Sequence, residues 1–358
     1  MKFGKTRIAL AALAAALLLA AAAVVWLNRD DDLPSAPLAA GASAASGDLV
    51  ARGEYLVRAG SCLGCHTEAG GAPYAGGRAI ETPFGIVHTP NLTPDAATGL
   101  VAWSADDFWR AMHNGRSRDG RLLYPAFPYP NYTRLARADA DAMFAYLKSL
   151  APVVKANQPH ALEFPFDQQA SLAVWRALFF RPGRFETDVG RSPSWNRGAY
   201  LVETLGHCNA CHSHRNAFGA TAGPLDLAGG LIPIQNWFAP SLEDNDEAGV
   251  GEWPDAEVVA LLKNGVAARG SAQGPMAEVV ARSTRYLNGG DLAAMATYLR
   301  SLPGNAAKAQ HPPAADEFRW IVGGEPPRRR QQGERYSEIL GDQPPRRQPS
   351  GPLHRRPF

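Results

Sequence analysis

Four cysteines occur in 358 residues, and all four fall in two copies of one motif: Cys62-Leu63-Gly64-Cys65-His66 and Cys208-Asn209-Ala210-Cys211-His212. No other feature constrains the fold as strongly, because each copy sits at the same place in a longer internal repeat. Arg52-Gly53-Glu54-Tyr55-Leu56-Val57 leads into the first motif, and Arg197-Gly198-Ala199-Tyr200-Leu201-Val202 into the second. Trp103 matches Trp253, Asn114-Gly115 matches Asn264-Gly265, and residues 141–150 are echoed by 292–302. The pattern is that of a duplicated unit about 105 residues long.

Each unit reads as a helix running into the motif, a Gly/Pro-rich loop, a middle helix, a second loop and a closing helix. In the first closing helix Met143, Tyr146, Leu147 and Leu150 recur at spacings of three and four, an amphipathic stripe. Strand signals are sparse, so the expected unit is small, all-helical and loop-rich. Its apolar side chains are too few for a conventional core, and a bulky apolar group must complete it.

Cys-x-x-Cys-His is the attachment signature for c-type haem. Two thiols one helical turn apart can each form a thioether to a porphyrin vinyl group, and the adjacent imidazole then reaches the iron. The sequence therefore predicts two covalently bound haem c groups, held by Cys62, Cys65, Cys208 and Cys211, with His66 and His212 as axial ligands. A zinc site needs four protein ligands where each motif offers three. A thioredoxin-like pair needs a βαβ context that is absent.

The second axial position differs between the copies. In the second, Gly274-Pro275-Met276-Ala277 lies in the loop between middle and closing helices, and Met276 is the expected ligand. Its thioether favours ferrous iron and raises the potential. The corresponding loop of the first copy, Leu123-Tyr124-Pro125-Ala126-Phe127-Pro128-Tyr129, has no methionine. Met112, His113 and His88 are the candidates there, with an open iron as the further alternative.

Lys2, Lys5 and Arg7 precede an apolar run from Ile8 to Leu27, and Asp30, Asp31 and Asp32 follow it. Twenty such residues in helix span about 30 Å, a bilayer's hydrocarbon core. The basic flank keeps the N-terminus cytoplasmic and sends the body across. A retained anchor is expected, with a cleaved signal peptide as the competing reading. The sequence thus divides into an anchor or signal at 1–28, a flexible tether at 29–47, repeats at 48–152 and 195–303, a packed linker at 153–194, and a Pro- and Arg-rich tail at 304–358. The tail is expected to be disordered, free to meet an acidic partner or lipid head groups. A net charge of +2 argues against a whole-molecule nucleic-acid binder.

The chain resembles the multi-haem cytochrome c subunits of membrane-bound alcohol, aldehyde and related dehydrogenases. The Arg-Gly-x-Tyr-Leu-Val lead-in, Glu81-Thr82-Pro83-Phe84-Gly85, Asn91-Leu92-Thr93-Pro94-Asp95, Tyr124–Tyr129 and Gly274-Pro275-Met276 carry the likeness, which covers about residues 48 to 303. The resemblance implies an all-α fold of two tandem class I-like cytochrome c domains after an N-terminal transmembrane anchor. It implies a periplasmic dehydrogenase as electron donor, and quinone, a terminal oxidase or a soluble cytochrome as acceptor, at the bacterial cytoplasmic membrane. Members of this family often carry methionine where Phe127 stands, and many have a third haem domain. No cysteine follows Pro303 in this sequence, which leaves two haems. The competing function is a di-haem redox enzyme, peroxidase-like or thiosulfate-oxidising, working at an open first haem.

Overall fold

The structure, a computed structural model, describes residues 2–29, 47–223 and 226–304. Nearly all of the tether expected at 29–47 and of the tail expected at 304–358 lies outside the described residues. Helix α1, Lys2–Leu27, carries the apolar run with its side chains largely exposed, and it is long and apolar enough to cross a membrane.

The first repeat contains α2 (Gly47–Ala59), α3 (Cys62–Cys65), α4 (Ala105–Asn114), α5 (Tyr129–Tyr132) and α6 (Arg137–Ser149). A connector bearing α7 (Gln169–Phe179) leads to α8 (Pro193–Tyr200), α9 (Asp255–Asn264), α10 (Gly274–Arg282) and α11 (Gly289–Arg300). Helix dominates, but short strands pin loops whose residues carry little strand signal. Strands β1 (Ala79–Thr82), β2 (Gly85–His88) and β3 (Ala161–Leu162) form one antiparallel sheet in that order, with Ala79 opposite His88 and Gly85 opposite Leu162. Strands β4 (Gly230–Ile232) and β5 (Trp237–Ala239) pair antiparallel in the second repeat.

The lead-in motif has a mechanical reason. Gly53 of α2 lies against the backbone of α6, where a Cβ would stand 1.9 Å from the Ala142 carbonyl oxygen. Gly198 of α8 repeats this against α11, at 2.0 Å from the Ala294 oxygen. Only glycine permits so close a crossing, so each leading helix is fixed on its closing helix. The two middle helices also end alike, on Gly115 and Gly265 in the left-handed conformation, as Asn-Gly predicts.

Arginine and tyrosine of the motif then join the repeats. Arg52 pairs with Asp139 of its own closing helix, and Arg197 pairs with Asp291 of its own. The tyrosines cross over. Tyr55 donates to Asp291 at 2.6 Å, and Tyr200 donates to Asp139 at 2.6 Å. Each carboxylate is thus held by an arginine from one repeat and a tyrosine from the other. This reciprocal clasp is the intramolecular counterpart of an isologous dimer contact.

One asymmetry also has a sequence cause. Val57 precedes Cys62 by five positions, but Val202 precedes Cys208 by six. The second leading helix absorbs the extra residue as a π-helical turn over Leu201–Leu205. The first repeat grips this turn: Arg134 pairs with the buried Glu203 carboxylate, and Asn131 donates to the Glu203 carbonyl at 2.8 Å and to the Asn209 side chain at 2.6 Å.

Burial alone would raise the Asp291 carboxyl, but bonds from Arg197 and Tyr55 outweigh it and hold the pKa below the ordinary value. Such a group contributes stability fully above the unfolded aspartate value, about 3.9, and loses it as pH falls through the lower folded value. Tyr55→Phe is expected to cost about 1–3 kcal/mol at neutral pH, read by denaturant unfolding. Asp291→Asn should abolish this share of the acid-induced loss, read as a shallower stability–pH curve below about pH 4.

Candidate haem sites

Both motifs leave their leading helices through a strained residue. Ser61 and His207, each immediately before the first cysteine, hold positive φ angles of 54° and 38°. The turn that follows places the histidine backbone N–H on the carbonyl of the first cysteine, at 2.9 Å in both copies. Each imidazole is then fixed from one side. Nδ1 of His66 lies 2.8 Å from the Pro90 carbonyl oxygen, and Nδ1 of His212 lies 2.8 Å from that of Pro240. A carbonyl accepts but cannot donate, so the proton sits on Nδ1 and the Nε2 lone pair is left for a metal. Burial also lowers the pKa of both rings, favouring the neutral form that ligation requires.

The cysteines are unpaired. Burial pushes the thiols of Cys62 and Cys208 up to about 12, so they are poor partners for disulfide exchange. Among the described residues no group of three or more His, Cys, Asp and Glu side chains is arranged to hold a metal ion.

A cleft of about 1770 Å³ opens beside the first motif, above the roughly 300–1,000 Å³ of ordinary ligand pockets. Cys62, Cys65 and His66 line it, with Met112 and Phe127. Leu100, Trp103, Phe108, Met143 and Leu147 add apolar walls. A large planar apolar group fits this lining, and it fits the unused Nε2 of His66.

Two of the three candidates for the first distal position line the cleft. Met112, near the end of α4, is buried and lines the cleft. His88 also lines it, and its Nδ1 lies 2.8 Å from the Pro159 carbonyl, a one-sided hold like that on His66. His113 is buried, is not among the residues lining the cleft, and stacks on Trp109 with ring centroids 4.7 Å apart. Met276 is placed differently from the sequence expectation: it stands in the first turn of helix α10, not in an open loop, and is half-buried against the core. Pro275 at the helix start explains the change, since its fixed φ favours a first helical turn.

Sequence reasoning missed the residues that bring the motifs together. The His207 ring meets Tyr132 edge-on at 5.6 Å, and the Tyr132 hydroxyl donates to the Gly60 carbonyl at 2.9 Å. Tyr132 and His207 both line the cleft. Helix α10 reaches back to the first motif, where Glu278 takes a bidentate contact from Arg78, which also donates to the Gly64 carbonyl. Burial leads the upward shift of the Cys65 thiol, and Cys211 is near enough to add to it. Pro90 and Pro240 could have been found, since Pro90-Asn91-Leu92 and Pro240-Ser241-Leu242 occupy matching places in the repeat. The Tyr132–His207 contact leaves no such trace.

Residues 50–151 match the family model for cytochrome c, a domain that carries covalently bound haem c. The chain is 41% identical over 315 residues to a nicotinate dehydrogenase subunit of Pseudomonas putida, covering 87% of this chain and 26% of that protein. It is 40% identical over 273 residues to the cytochrome c subunit of a quinone alcohol dehydrogenase of Gluconobacter oxydans, covering 74% of this chain and 57% of that protein. A diheme cytochrome c-type protein of Cereibacter sphaeroides is 35% identical over 259 residues, 70% of this chain and 85% of the relative. The chain spans well under two thirds of the first two relatives.

Proposed function

The chain belongs to the family of multi-haem cytochrome c subunits that accompany membrane-bound dehydrogenases, and from that membership we propose that it is a di-haem electron carrier. It takes electrons from a periplasmic dehydrogenase and relays them to the respiratory chain, anchored by α1 at the cytoplasmic membrane with its body outside. The observation that carries this reading is the matched pair of imidazoles, each held at Nδ1 by a proline carbonyl directly after two cysteines.

Bound haem supplies a one-electron ferric/ferrous couple. The rest is done by the polypeptide. Cys62 and Cys65, and Cys208 and Cys211, anchor the two groups covalently. Pro90 and Pro240 aim the His66 and His212 rings. Met276 serves the second iron and Met112 the first, thioether sulfurs that favour the reduced state. The apolar walls of the first cleft keep water from the metal, and Tyr132 with His207 fills the space between the two motifs. Two cytochrome c domains joined by the tyrosine clasp hold the donor-to-acceptor distance constant.

The competing reading, an enzyme working at an open first iron, makes a different spectroscopic demand. A carrier with two thioether-ligated irons is low-spin throughout and unreactive to peroxide; an enzyme shows a high-spin iron that binds cyanide. Met276→Ala should abolish one share of the near-infrared sulfur-to-iron band and lower one potential substantially, by redox titration. Met112→Ala should do the same at the other haem, whereas His113→Gln should leave both spectra and both potentials in place.

A further inference from the structure

Helix α1 and the connector helix α7 meet at one buried residue. Asn28, the first residue past α1, donates from Nδ2 to the Ala173 carbonyl at 2.9 Å and accepts from Arg176 Nε at 3.0 Å. Arg116 donates to its backbone carbonyl. The end of the apolar run is therefore fixed to α7 by hydrogen bonds, with no slack between them.

That constrains where α7 lies. Helix α1 has 26 residues, about 39 Å at 1.5 Å per residue, which exceeds the roughly 30 Å hydrocarbon core. The polar, bonded Asn28 marks where the chain leaves the core, and the middle of α7, at Ala173 and Arg176, lies at the same level. One side of α7 packs inward through Leu172, Arg176 and Ala177. The opposite side shows Val174 and Leu178, one turn apart and 46% and 64% exposed, with Phe179 at the edge between the two sides. Phe218 of the second repeat joins them, 56% exposed, with its ring 5.8 Å from Phe179. Trp175 closes the group, its indole N–H donating to the Phe218 carbonyl at 2.9 Å.

We propose that this face of α7, with Phe218, is a lipid-docking platform that settles into the boundary between head groups and acyl chains. Aromatic and aliphatic side chains held beside a membrane span are suited to that layer, and a contiguous exposed apolar patch marks an interaction site. Val174, Trp175, Leu178, Phe179 and Phe218 are also among the residues lining the first cleft. Docking would therefore hold that cleft beside the membrane surface. The inference rests on reading α1 as a membrane span.

The test places a photoreactive benzophenone amino acid at Leu178, and separately at Phe218, in the full haem-loaded chain in native membranes. A third chain carries it at Val189, which is 99% exposed on the connector. Adducts are identified by mass spectrometry. Phospholipid adducts at Leu178 and Phe218, several-fold above those at Val189, are the expected result. Adducts to protein, or lipid adducts no more abundant than at Val189, overturn the platform. Carbonate extraction separates the two readings: a chain that washes off has no membrane span and hence no platform, while a retained chain without lipid adducts loses the platform alone.

Discussion

The architecture depends on two helix crossings that only glycine allows. At Gly53 and Gly198 the leading helix of each repeat lies on the carbonyl ridge of its closing helix, which fixes the direction in which the Cys-x-x-Cys-His turn departs. The same crossings bring Arg52 and Arg197 onto Asp139 and Asp291, and the carboxylates still have room for one further donor each. Tyr55 and Tyr200 supply it from the opposite repeat. Attachment of the motifs within each repeat and attachment of the repeats to each other therefore use the same two carboxylates. A change at either aspartate disturbs both levels together.

Upon this near-symmetry the two sites diverge. The π-turn at Leu201–Leu205 accommodates one inserted residue and presents Glu203 and Asn209 to Arg134 and Asn131. The second motif is thereby tied to the first repeat by polar bonds, and the first motif is tied to α10 through Arg78 and Glu278. The distal surroundings differ as well. A buried methionine at the end of α4 lines the first cleft, while the second repeat offers Met276 at the start of α10. Two haems bound in such unlike surroundings would carry unlike potentials, which is what the proposed relay requires.

Much of this is legible in the sequence, for local reasons. The repeat, both motifs, the Asn-Gly helix ends and the apolar N-terminal helix depend on spacing and residue type within a short window, and the structure has helices where the periodicity places them. Met276 stands out in the sequence, but its helical setting does not, because Pro275 is as good a first residue of a helix as it is a loop residue. The crossed tyrosines are not legible, because Tyr55 and Asp291 stand 236 positions apart and either tyrosine could have bonded its own repeat's aspartate. The π-turn is present as a one-residue difference in motif spacing, whose meaning appears only when the helix must still deliver Cys208 to the right place. Which of Met112, His88 and His113 face the cleft is not legible, since all three lie in the same repeat with suitable donor atoms.

The central claim is that both repeats hold a covalently attached haem. The most direct test is the intact mass of the mature protein under denaturing conditions, produced with active haem attachment. Each molecule is predicted to exceed its polypeptide mass by two haem groups, with one lost when Cys62 and Cys65 are replaced and the other when Cys208 and Cys211 are. A polypeptide mass without addition, or a single haem regardless of which pair is removed, would contradict it.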